Sequence, residues 1–143
     1  MTNKIHYISP SLLPSRSANS IHVVHQCSAL SKYEMVFMYA AVEDSSVSKE
    51  QLELSYGVDL SRVHLEVFQP FSKKGLNYQI AIFSVFKILL RVFKKGTKIY
   101  SRNLYASFIF SFFLKKGIIY ETHQVENNFN SFLQKTILRN KRN

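Results

Sequence analysis

Three polar clusters in this 143-residue chain carry side chains suited to binding or to moving a proton. The apolar run Ile118-Ile119-Tyr120 stops abruptly at Glu121-Thr122-His123. Ser101-Arg102-Asn103 follows a second apolar run, and Asn19-Ser20 closes a serine-rich loop. A histidine at the first of these places can hydrogen-bond a hydroxyl or shuttle a proton near neutral pH. An arginine can grip phosphate or carboxylate with two parallel bonds, and a helix starting near Ser20 offers unpaired N–H groups to an anion. A purely structural reading stands beside each. His123 can be a satisfied polar residue at a strand end, and Arg102 can form an ion pair with Glu121 or Glu126.

Other chemistry is thinner. His22 and His25, three apart on one helix, could share a metal, but no third ligand stands nearby, so no metal is expected. Cys27 is the lone cysteine and falls on an apolar helical stripe, which makes it core rather than a bridge or nucleophile. Neither G-x-G-x-x-G after the first strand nor G-x-x-x-x-G-K-[ST] is present, so no bound nucleotide cofactor is expected.

The elements that must position these clusters alternate. Strands are predicted over 4–9, 34–42, 62–68, 98–101 and 117–122. Helices are predicted over 20–32, with Ser20 or Asn19 as N-cap, and over 48–57, 76–96, 103–117 and 129–141. Residues 10–19 read as a loop. Short apolar strands between helices suit a parallel sheet covered on both faces. The expected fold is therefore α/β, a Rossmann-like doubly wound parallel sheet forming one domain over 1–143. In such a sheet ligands sit beyond the carboxyl ends of the strands, where Asn19, Ser20, Arg102, Glu121 and His123 would meet.

Charge is unevenly spread. Between Val67 and Tyr120 there are ten basic and no acidic residues, while the remaining nine basic residues balance the nine acidic ones. Basic and aromatic residues together suggest an anionic membrane surface or nucleic acid, and long aliphatic runs claimed by a core argue against nucleic acid. A solvated basic face is the plainer reading. Residues 76–95 are long enough to be considered for a membrane span, but Lys87 and Arg91 within it would each cost roughly 2.5–3.5 kcal/mol at the bilayer centre. An amphipathic helix docked on the sheet fits better. No secretory signal opens the chain and no disulfide can form within it, so a cytoplasmic location is expected, with peripheral association at the inner face of the plasma membrane.

The ordered set KIHYISPSLLPSRSANSIHVVHQCSALSK, IYSRNLYASFIF and IIYETHQVENNF resembles the N-terminal half of glycosyltransferase family 4, retaining enzymes of the GT-B fold that build bacterial surface polysaccharides. Tyr120-Glu121-Thr122-His123 is similar to the family's Y-E-x-H, and Tyr100-Ser101-Arg102 to its Y-[ST]-R. The resemblance implies an acceptor-binding half facing a second half that holds a nucleotide-sugar. It places His123 in the cleft near the transferred sugar as the catalytic residue. Asn19 and Ser20 would approach a phosphate, and Arg102 with Glu121 would line the acceptor side. The implied partner is a sugar or lipid-linked acceptor, with no nucleic acid. SRSANS replaces the glycine-rich turn common in the family, and no two glutamates here have seven residues between them, as the family's donor site requires. The expectation is an incomplete enzyme, inactive alone because the nucleotide-sugar half is absent: a truncated product, an expressed fragment, or one part of a split enzyme with a separate C-terminal half. Two other functions stay open. One is a non-enzymatic basic module on an anionic membrane. The other is a single-domain enzyme using Arg102 and His123 on a small phosphorylated substrate.

Overall fold

The run KIHYIS opens a strand that goes further than its sequence suggests. In the computed structural model, which describes residues 4–91, 97–113, 117–122 and 125–140, β1 spans Lys4–Leu13. Its pairing to β2 (Met35–Val42) runs from Lys4↔Met35 to Ile8↔Tyr39, skips, and resumes at Leu12↔Ala41. The extra residues of β1 form a bulge around Pro10, which has no N–H to give the ladder. Ser11 N–H turns instead to Ser9 Oγ (3.0 Å). The predicted loop over 10–19 therefore begins only after Leu13, because Leu12 and Leu13 regain the ladder and Leu13 is buried.

The remaining elements are α1 (Ala18–Ser31), α2 (Lys49–Tyr56), β3 (Val63–Phe68), α3 (Leu76–Leu89), β4 (Thr97–Ser101), α4 (Leu104–Phe108), β5 (Ile118–Tyr120) and α5 (Asn128–Arg139). The five strands are all parallel, in the order β3-β2-β1-β4-β5. Their period of two splits the core cleanly. Ile5, Tyr7, Val36, Met38 and Ala40 pack with Val23, Val24, Cys27 and Leu52 of α1 and α2. Ile8, Tyr39, Ala41, Ile99 and Ile118 pack on the other face with Ile80, Ile88, Phe110, Leu133 and Ile137, from α3, α4 and its continuation, and α5. This is a Rossmann-like, doubly wound α/β fold. Cys27 is buried as expected, and burial pushes its thiol well above its ordinary value.

Several predicted boundaries move, each for a local reason. Ser17, not Asn19 or Ser20, caps α1: its hydroxyl accepts from Ser20 N–H (3.2 Å), so Asn19 and Ser20 lie inside the first turn. The helix predicted over 76–96 stops at Leu89, where Arg91 N–H closes onto Ile88 O (2.8 Å); residues 92–96 lie outside the described residues. Of the helix predicted over 103–117, α4 is followed by a π-helical turn over Ile109–Phe113, and residues 114–116 lie outside the described residues. β5 is three residues long and, as an edge strand, leaves Ile119 51% exposed, so its apolar run is only half buried. By contrast, α2 has a full capping box, Ser48 with Gln51, and ends as predicted at Gly57, whose φ of 65° suits glycine.

The basic stretch meets acid from elsewhere in the chain. Glu66 holds Arg91 (2.6 Å) and Lys87 (3.6 Å), Glu43 meets Lys73 (3.4 Å), and Glu34 meets Lys98 (3.8 Å). No helix among the described residues is long and apolar enough to cross a membrane.

Candidate functional site

After β1 the chain crosses to one face of the sheet, and after β4 to the other, so a crevice opens beyond the carboxyl ends of these neighbouring strands. The ladder continues one step past the regular strands. Arg102 N–H donates to Ile8 O (3.1 Å), and Glu121 N–H donates to Ser101 O (3.0 Å). These bonds pin both backbones at the rim and send both side chains over the same edge. The flanking polar residues are occupied locally. Ser101 Oγ bonds the backbone of Asn103, whose Oδ1 caps α4 by accepting from Ala106 N–H (3.0 Å). Asn103 Nδ2 donates to Asn77 O (3.0 Å), tying α3 to the site.

Arg102 is the centre of the arrangement. Its side chain is 3% exposed. Nη2 donates to Asn19 Oδ1 (3.2 Å), Nε lies 4.0 Å from Glu121 Oε2, and Nη1 has no hydrogen-bond partner among the described residues. Glu121 is itself shared: Oε2 accepts from Tyr100 O–H (2.8 Å), and Oε1 lies 3.3 Å from His22 Nε2. Tyr100 Oη accepts from Gln26 Nε2 (3.0 Å), and Gln26 Oε1 accepts from Tyr7 O–H (2.7 Å). The Tyr7 and Tyr100 rings stack with centroids 4.9 Å apart. Burial raises both phenols above their ordinary value, helped at Tyr100 by its bond to Glu121, so both keep the proton they donate.

One face of α1 makes this network. Asn19, His22 and Gln26 recur at helical spacing and meet Arg102, Glu121 and Tyr100 in turn. On the far side α5 supplies support. Gln134 accepts from Glu126 N–H (3.0 Å) and donates to Thr122 Oγ1 (3.2 Å), while Asn130 donates to Glu126 Oε2 (3.3 Å). Between the two lies a cleft of about 240 Å³ lined by Asn19, Asn77, Arg102, Glu121, Thr122 and Glu126, among others. Amides, a hydroxyl and carboxylates around one guanidinium are equipped to bond a ligand rich in hydroxyl groups. A larger hollow of about 430 Å³ by Pro14, Arg16 and Ile21 is less suited, because its Tyr56 hydroxyl is spent on the backbone of Ser15.

Asn19, Arg102 and Glu121, singled out in the sequence, thus meet at one rim. Ser20 does not line the cleft: it is buried, with Oγ 2.9 Å from Ser17 Oγ. His123 lies outside the described residues. Among the described residues no three potential ligands gather for a metal, and His22 faces Glu121. Sequence reasoning missed Gln26 and Asn77, held Tyr100 only as part of a motif, and held Glu126 only as a possible ion-pair partner of Arg102. The available signal was the polar stripe 19-22-26, which runs beside the apolar stripe of α1.

Comparison of the chain with protein-family models, with curated proteins and with solved structures finds no match.

Proposed function

We propose that this chain is the acceptor-side half of a retaining glycosyltransferase with a GT-B-like architecture, its cleft holding a sugar or lipid-linked acceptor. The observation that carries this is the convergence of Asn19, Arg102, Glu121, Thr122 and Glu126 at the switch point of the sheet. The family resemblance of Tyr120-Glu121-Thr122-His123 and Tyr100-Ser101-Arg102 supports it. In the reaction, an acceptor hydroxyl oxygen bonds to the anomeric carbon of a nucleotide-sugar, the bond from that carbon to the nucleoside diphosphate breaks, and the hydroxyl proton passes to the leaving diphosphate. The donor is held by a second Rossmann-like unit, and His123 serves at the transferred sugar by resemblance. Neutral hexoses added to the ¹⁵N-labelled chain are expected to shift amides of Asn19, Thr122 and Glu126. Shifts absent from the cleft at every concentration refute the assignment. Residues 1–143 alone are expected to transfer nothing, and unaided turnover from a nucleotide-sugar refutes the division of labour.

A second function, a module docking on an anionic membrane surface, is favoured by one feature. Tyr78, Ile82, Phe86 and Leu90 recur every four residues on the solvent side of α3 and its C-cap, all more than half exposed. Against it, Lys87 and Arg91 on the same segment already pair with Glu66. Liposome flotation separates the two: binding that needs anionic lipid and fades with salt supports the membrane module.

A further inference from the structure

Arg102 is a buried cation without an adequate counter-charge. A guanidinium satisfied by a carboxylate makes two parallel bonds of about 2.7–2.9 Å. Among the described residues the only carboxylate within 4 Å, Glu121, stands 4.0 Å from Nε and is divided between Tyr100 and His22. The one firm acceptor is the neutral amide of Asn19, and Nη1 is unpartnered among the described residues. A buried charge left in this condition is costly unless something completes it. The same corner holds the start of α1, a 14-residue helix with no acidic residue in its first turn, where the helix dipole favours negative charge.

We propose that the acceptor taken by this cleft carries a compact oxyanion, a phosphate or a carboxylate, which replaces Glu121 as the partner of Arg102. The proposal rests on the acceptor-site reading above and specifies its ligand. Glu121 and Glu126 line the same cleft, so the site is not a general anion trap. Their carboxylates suit the hydroxyl groups of a sugar ring, and only the end formed by Asn19, Arg102 and the start of α1 suits the oxyanion. The ligand is accordingly an anionic sugar, bound through both features at once.

The test uses the whole chain with glucose, galactose and N-acetylglucosamine, their 1-phosphates, glucuronate and galacturonate, and inorganic phosphate, followed by NMR and calorimetry. At least one charged sugar is expected to bind tenfold or more tightly than its neutral parent, with a gain that shrinks as salt rises. Preference among the 1-phosphates or the uronates identifies which oxyanion is read. Arg102→Gln is expected to abolish the gain. Because a buried arginine can be needed for folding, Glu121→Gln provides an independent check: removing the competing carboxylate is expected to strengthen charged-sugar binding about threefold or more. Neutral sugars that bind in the cleft with no gain from charge overturn the oxyanion and leave the acceptor site standing. Inorganic phosphate binding as tightly as the charged sugars also overturns it, since the ring would then contribute nothing. If no sugar binds at all, both proposals fall.

Discussion

His6 is expected to make the stability of this protein sensitive to mild acid. The side chain is 1% exposed in the middle of the sheet face that α3 covers. Its Nδ1 lies 2.7 Å from the Tyr39 hydroxyl, and its ring stacks on Phe37 with centroids 5.1 Å apart. Burial, then the positive charges of Arg91 and Lys4, lower its pKa from 6.5 to about 4, with Glu66 opposing. The folded state therefore refuses a proton that the unfolded chain accepts between these two values. The stability that neutral His6 contributes is complete above about pH 7 and is lost as pH falls from 6.5 toward 4. The separation corresponds to roughly 3 kcal/mol, a large share of a total near 5–15 kcal/mol for an ordinary domain.

Urea unfolding at pH 7.5, 6.5, 5.5 and 4.5 reads this loss directly. His6→Asn provides the control, because its amide can still reach Tyr39 but never charges. The variant is expected to be less stable at pH 7.5, having lost the ring stack, and to lose much less stability than the parent between pH 7 and 4.5. Asp44, Asp59 and Glu50 have lowered pKa values through bonds to neighbouring Ser46, to Ser61, and to its own backbone N–H, respectively, so their contributions disappear only at lower pH. A parent and variant with parallel pH dependence, or an NMR titration of His6 near 6.5 in the folded protein, refutes the reasoning.

Tyr100→Phe removes the hydroxyl joining Gln26 to Glu121. It is expected to cost about 1–2 kcal/mol in urea unfolding and to weaken any sugar bound at the cleft, whereas unchanged stability and affinity would mean that the network is idle. Asn103→Ala removes both the cap of α4 and the tie to Asn77 O. A loss of about 1–2 kcal/mol is expected, with faster amide exchange at Ala106 as the local readout.

The architecture was legible because short strand-length runs, wholly apolar in β2 and largely apolar at the inward positions of β1 and β4, alternate with helical spacing, and period-two burial on both faces followed from it. What failed to show were the places where context outweighs local preference. Pro10 and the neighbouring serines read as loop, yet Leu12 and Leu13 re-enter the ladder beyond a bulge. Ser20 looked like a cap, but Ser17 stands at the geometry that a cap needs, and Ser20 turns inward to it. At the site, the rule placing ligands beyond strand ends was enough to gather Asn19, Arg102 and Glu121. It could not supply Glu126, Thr122's partner Gln134, or the α1 face, since those depend on how helices dock rather than on where strands stop.

The basic stretch shows the same limit in electrostatic form. Counted along the chain, 67–120 is uniformly positive; folded, Glu34 (just before β2), Glu43 (just after it) and Glu66 on β3 meet Lys98, Lys73, and Lys87 with Arg91. These pairs are at least partly exposed and individually worth little, but they give four of the ten cations of this stretch a local carboxylate. Arg102 differs because it is buried, and its nearest acid is already claimed by Tyr100 and His22. In a protein of net charge +10, the acceptor-site proposal therefore assigns recognition to the cation hidden at the switch point. Its charge is felt only by a ligand small enough to enter the cleft and polar enough to displace Glu121.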